Sequence, residues 1–147
     1  MFYSKMSSKK YLIRLLKGEE IVASIKKFCE ELNIKNAEIS AIGSVESPTL
    51  AHYRVDTKKY KEKTLKGIFE LTSLIGSVAI SEGEPLVHVH VTISDDEMRA
   101  FGGHLVKGVV SATVEVFLES FESKYTKSHD KEIGLKLWNL DDKLQKP

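Results

Sequence analysis

Five histidines, His52, His88, His90, His104 and His129, are the residues of this 147-residue chain best suited to chemistry. Two of them alternate with valine in Val87-His88-Val89-His90-Val91-Thr92-Ile93-Ser94. Side chains along a β-strand point to opposite faces in turn. The spacing therefore predicts a strand that turns Val87, Val89, Val91 and Ile93 to the core. His88 and His90 then share the other face, close together and with their rings roughly parallel. Two imidazoles so placed can grip one metal ion. His104 follows Gly102-Gly103, a pair suited to a tight turn or a close backbone approach. The expectation is a loop that returns His104 to the strand. Three imidazoles suit zinc, with nickel, copper or iron as alternatives, and leave a fourth position for water, a carboxylate or a ligand. Spacing alone equally allows the plainer reading, in which these are partly buried strand residues with hydrogen-bonded nitrogens. His52 and His129 stand alone and read as surface residues.

Carboxylates and lysines supply the other candidates. Ser111, Thr113 and Glu115 share the polar face of a strand whose apolar face is Ala112, Val114, Val116 and Leu118. If that strand neighbours His88 and His90, Glu115 can orient an imidazole or act as a general base. Otherwise it is a solvated strand residue. Asp95-Asp96 reads as a turn, and Cys29, beside Phe28, as an inert, partly buried thiol. Lys58, Lys59, Lys61 and Lys63 surround Tyr60 in a basic run. Such a run can meet phosphates while the tyrosine stacks on a base; it equally fits a solvated hairpin tip. The chain contains no nucleophile elbow, phosphate-cradling loop or His-Glu-x-x-His motif.

Hydrophobic spacing outlines the elements that must position these groups. Tyr11–Leu16 reads as a short strand closed by Gly18. Ile21, Val22, Ile25, Phe28 and Leu32 recur at helical spacing. They predict a helix over about Glu19–Leu32, with Glu19 and Glu20 in the first turn facing the helix dipole. Period two follows, with strands over Ala37–Ile42, Leu50–Val55 after a Ser47-Pro48 turn, Leu65–Leu74, Gly76–Ser81, Leu86–Ser94 and Ser111–Phe121. The stretch after Ser123 is polar until Leu135–Trp138, which is expected to pack back onto the domain. One main N-terminal helix beside mostly hairpin-linked strands reads as an α+β fold with a largely antiparallel, mixed sheet. The length suits a single compact domain over residues 1–147.

Lys and Arg number 22 against 21 Asp and Glu, a net charge of +1, which argues against a strongly cationic nucleic-acid clamp. The 41% apolar and 29% charged residues exclude a disordered chain. One cysteine permits no intrachain disulfide and suits a reducing compartment. No apolar run has the length of a signal peptide or a membrane span. The expected location is the cytoplasm.

Several separated motifs together resemble one family, the plants and prokaryotes conserved (PPC) domain. They are Val87–Asp95, Arg99-Ala100-Phe101-Gly102-Gly103-His104-Leu105 and Ala112–Val116, with Ile39–Val45, Gly67–Gly76 and Gly134–Leu137 in support. The likeness runs from about Tyr11 to Leu140. It implies a compact domain with a largely antiparallel sheet that assembles as a homotrimer. It also implies a zinc-type three-histidine set, which maps onto His88, His90 and His104. Plant members carry AT-hook DNA-binding segments, and stand-alone prokaryotic members are labelled as DNA-binding. The Gly-Arg-Pro core of an AT-hook is absent here, so that label reaches this chain by association only. The resulting expectation is a non-catalytic, zinc-binding homotrimer in DNA-associated or regulatory assembly, with Lys58, Lys59, Lys61 and Lys63 as nucleic-acid contacts. Two alternatives use the same site. One is a zinc-dependent hydrolase or lyase with Glu115 or Glu70 as base. The other is a sensor whose metal holds a small anionic ligand.

Overall fold

The period-two pattern beyond residue 36 folds into strands longer than the sequence outlines. A computed structural model describes residues 1–122 and 124–141. In chain order the elements are β1 (Phe2–Lys5), β2 (Lys10–Leu16), α1 (Ile21–Glu31), β3 (Asn36–Arg54), β4 (Lys59–Thr64), β5 (Ile68–Ser81), β6 (Glu84–Ser94), β7 (Ala100–Phe121), β8 (Lys127–His129) and β9 (Lys136–Trp138). The first seven strands form one antiparallel sheet in the order β1-β2-β7-β6-β5-β3-β4, and β7 pairs with β3 as well. Strands β3, β5, β6 and β7 therefore close into a ring. The α+β expectation reduces to a mostly antiparallel sheet with one helix, in a single compact domain. No helix among the described residues is long and apolar enough to cross a membrane.

Three expectations about the strands need correction. Ser47-Pro48 does not separate two strands. Ser47 adopts a left-handed backbone (φ 46°), and the β3–β7 register shifts between Glu46 and Thr49. That is a bulge within β3, a place where a strand tolerates proline. Nor are Leu65–Leu74 and Gly76–Ser81 two strands: Ile68–Ser81 is one strand, β5, with Gly76 inside it. The polar stretch after residue 123 contains a second sheet, the β8–β9 hairpin, while Ser123 itself lies outside the described residues.

Helix α1 buries Ile21, Ile25, Phe28 and Cys29 against the inner face of the sheet, where Ile13, Leu15, Ile39, Leu74, Val78 and Val89 complete the core. Burying each such side chain stabilises the fold by about 1.5–3 kcal/mol. Glu20 is the N-cap rather than a first-turn residue. One carboxylate oxygen accepts from the Ala23 N–H (2.6 Å), and the other accepts from the Gly108 N–H of β7 (3.0 Å). One side chain thus satisfies an open helix end and fastens it to the sheet.

Gly76 sets how closely β5 meets β6. A Cβ there would run into the His88 carbonyl oxygen and lie 2.7 Å from Val89 Cα. Both obstacles are backbone, so neither can swing aside. Gly76→Ala should therefore destabilise the protein by about 2 kcal/mol or more, read as a lower urea midpoint; an unchanged midpoint would show that the strands have room to spare.

Candidate metal centre

The β6 alternation places its side chains as the spacing predicts. Val89, Val91 and Ile93 are buried in the core, and His88 and His90 lie on the outer face. His104, however, comes from no loop. It stands on β7, which pairs antiparallel with β6 from Ser94↔Ala100 to His90↔His104. Gly102-Gly103 is part of that strand. A Cβ on Gly102 would sit 3.0 Å from the Val91 carbonyl oxygen, and one on Gly103 3.0 Å from that of Ala51. The two glycines let β7 lie tightly between β6 and β3, so close approach rather than turning is their role.

The three rings converge. Their centroids are 5.2 Å apart for His88 and His90, 5.2 Å for His88 and His104, and 5.6 Å for His90 and His104. One nitrogen from each lies within 4.8 Å of the other two. The His88 and His90 rings are not parallel as expected but nearly perpendicular, at 86°.

Burial favours the neutral form of His88 and His104. Desolvation, then the positive charge of Lys127, then the neighbouring histidines push His88 down to about 4. Desolvation and His90 likewise lower His104, against an opposing pull from Glu62. The buried Nδ1 of His104 has no hydrogen-bond partner. A buried polar nitrogen without a partner is costly, and a metal ion would satisfy it. Only neutral imidazole binds metal, so the lowered His88 and His104 favour metal binding.

The outer face around the cluster is roofed by the β8–β9 hairpin. Asn36, fully buried, donates to the Tyr125 carbonyl (2.9 Å) and accepts from the Tyr125 N–H (2.8 Å). The Tyr53 hydroxyl donates to the Ile133 carbonyl (2.6 Å), and Lys58 Nζ donates to that of Lys131 (2.9 Å). Ile80 of β5 bridges to Thr126. Between hairpin and sheet lies a cavity of about 540 Å³, reached by His88, His104, Tyr60, Lys127 and Trp138.

The other candidates lie elsewhere. Glu115 is exposed on β7 opposite Arg14 and Ile42, well along the strand from His104. Glu70 is exposed on β5 opposite Ser44 and Ser94, several rungs from the His90 rung. Among the described residues, neither joins the histidine cluster. Lys59, Lys61 and Lys63 share one face of the edge strand β4 with Arg54 and His52 of β3. Lys58, in a left-handed turn (φ 53°), instead ties down the hairpin. Tyr60 is exposed, and its ring packs 5.4 Å from His104 and 4.9 Å from Tyr53. His129, read as a lone surface residue, is exposed yet lines the same cavity. Sequence reasoning missed Lys127 and Trp138 as neighbours of the histidines. Trp138, the only tryptophan, sits in the segment expected to pack back, which was the available signal. Nothing next to Lys127 in the chain marks it.

The sequence pattern of the Plants and Prokaryotes Conserved (PCC) domain matches residues 3–122. The chain belongs to this family. Among solved PCC-type structures it is similar to the plant- and prokaryote-conserved protein of Pyrococcus horikoshii, at 40% identity over 97% of both chains with a TM-score of 0.87. It also resembles a metal-containing protein of Archaeoglobus fulgidus, at 33% identity over 95% of this chain and 99% of that one (TM-score 0.86). A third relative, named "putative dna binding protein", comes from Bacteroides thetaiotaomicron, at 26% identity over 93% and 96% (TM-score 0.89). The bifunctional protein GlmU of a Synechococcus strain is 29% identical over 127 residues. That match takes in 84% of this chain, which spans only about a fifth (19%) of GlmU.

A pH dependence follows from the burial of His88. The folded, metal-free protein keeps His88 neutral down to about pH 4, whereas the unfolded chain protonates it near 6.5. Between those values the unfolded state binds the extra proton, so stability should fall as pH drops from 6.5 towards 4. Urea midpoints of metal-free protein across this window should decline, and His88→Gln should flatten the decline; an equal slope in the variant would assign the effect to other groups.

Proposed function

We propose that this PCC-domain protein holds one zinc ion on His88, His90 and His104 and acts in the cytoplasm as a non-catalytic homotrimer in DNA-associated or regulatory assembly. The observation that carries the reading is the convergence of three imidazole nitrogens, one of them buried without a partner. A wholly imidazole-nitrogen donor set suits zinc. The relative named as metal-containing, 33% identical over nearly its whole length, supports a metal. Bound zinc would act as a Lewis acid on whatever oxygen ligand took its remaining position. Exposure of Ile42, Ile75 and Phe117 on the outer face supports self-association. Register puts Leu12, Phe117, Ser40, Ile75 and His90 in one row across the sheet, and a second subunit would cover this apolar surface.

Metal analysis and sedimentation of one untagged sample test the proposal. The parent should carry about one zinc per chain and sediment as a trimer. His90→Ala should lose the metal while keeping the trimer. Protein that takes up no zinc on incubation overturns the metal, and a monomer at micromolar concentration overturns the assembly.

The DNA part rests on Lys59, Lys61, Lys63 and Arg54, which line one exposed face, and on the relative whose name mentions DNA binding. A lysine-rich edge strand also discourages edge-to-edge aggregation, so the two roles must be separated. If the lysines meet phosphates, DNA affinity should fall steeply with rising salt, and replacing the three by Gln should reduce that slope by about two to three. Absence of binding at low salt would leave edge protection as their role.

A further inference from the structure

Lys127 is an unusual residue for a cavity wall. It is only 7% exposed. Among the described residues it makes no ion pair. Its ammonium lies 4.6 Å from the centre of the Trp138 ring. A buried cation without an anion is costly, and an aromatic face offsets only part of that cost. Lys127 is also near enough to His88 for its charge to disfavour imidazole protonation. The wall thus holds a cation beside a set of three metal-type donors, and among the described residues no carboxylate pairs with it.

The rest of the cavity defines the ligand. Its volume of about 540 Å³ falls in the range usual for small-molecule sites, about 300–1,000 Å³. Leu86, Leu135, Leu137 and Trp138 line it beside Lys127 and the histidines. Lys136, also on the lining, is paired with Glu82, which leaves Lys127 as the lining cation without an ion pair among the described residues, while the three leucines and Trp138 supply an apolar wall. Inorganic phosphate, polar all round, would leave that apolar surface unmatched. A carboxylate on an apolar body matches both parts.

We infer that the cavity between the histidine cluster and the β8–β9 hairpin receives a small organic carboxylate. Its charged end meets Lys127 and the metal, and its apolar body lies against Trp138 and Leu135. The inference rests on the zinc reading and gives that site a ligand class. The two cationic groups would each take a carboxylate oxygen, which a neutral amide of the same shape cannot reproduce.

Trp138, as the only tryptophan, reports directly from the cavity wall. The test uses full-length protein with its zinc counted beforehand, titrated with cyclohexanecarboxylate, cyclohexanecarboxamide and inorganic phosphate while tryptophan fluorescence is followed. The carboxylate should give a saturable change with Kd of about 1 mM or lower. The amide and phosphate should each bind about tenfold more weakly or worse. Lys127→Met should raise the carboxylate Kd about tenfold while leaving the zinc count unchanged. Equal binding of carboxylate and amide, tighter binding of phosphate, or an unchanged Kd in Lys127→Met would each overturn the inference. The carboxylate–amide comparison uses unmodified protein, so it decides the matter even if Lys127→Met does not fold. Failure of the zinc reading shows itself separately and earlier, as a chain without metal. Zinc-loaded protein indifferent to the carboxylate sinks the ligand assignment alone.

Discussion

The pairing of β6 with β7 is the constraint on which the histidine cluster depends. Strand side chains alternate, so a slip of one residue would turn His104 inward and Leu105, now buried, outward. The short connection between the strands opposes that slip. Asp95 accepts from the N–H groups of Glu97 (3.1 Å) and Arg99 (2.9 Å), and its other oxygen meets the Arg99 guanidinium at 2.8 Å. Met98 takes the left-handed conformation that closes the turn. Beyond the turn, Gly102 and Gly103 let β7 come close to its neighbours on both sides. A compact polar turn and two missing side chains thus determine whether three imidazoles can meet.

Roofing then changes the chemistry of the cluster. The outer face of an antiparallel sheet is ordinarily wet, and histidine there would titrate near its usual value. Here the β8–β9 hairpin covers His88 and His104, and desolvation keeps both neutral. The hairpin is held by polar contacts to residues far back in the chain, Asn36 to Tyr125 and Tyr53 to Ile133. It also brings a buried cation, Lys127, to the edge of the cluster. Burial, charge and cavity shape at this site therefore depend on one small docked element.

The same outer face carries the exposed apolar row. From Leu12 through Phe117, Ser40 and Ile75, the row leads straight to His90 and then His104. His90 is the exposed member of the histidine trio, while His88 and His104 are half-buried. Whatever covers Ile75 and Phe117 therefore lies next to the most open of the three imidazoles. The exposed apolar row and the histidine site share one surface.

Much of this was legible in the residues themselves. Alternation from Val87 to Ile93 determined which face His88 and His90 occupy, and the 3.6-residue spacing of Ile21, Ile25 and Phe28 determined the helix and its buried stripe. These are local patterns, set by the geometry of a single strand or helix. The Gly102-Gly103 pair pointed to His104 as the third ligand, and the family motifs agreed. The tertiary structure decided what depends on partners distant in the chain. His104 lies on a strand because β7 pairs with β6, and Ser47-Pro48 is a bulge because β3 continues along β7. Glu115 and Glu70 fall away from the cluster because register places them on other rungs. Lys127 reaches the cavity only because the hairpin docks there. Local periodicity says which way a side chain points. What it points at is set by long-range pairing, which a linear pattern does not encode residue by residue.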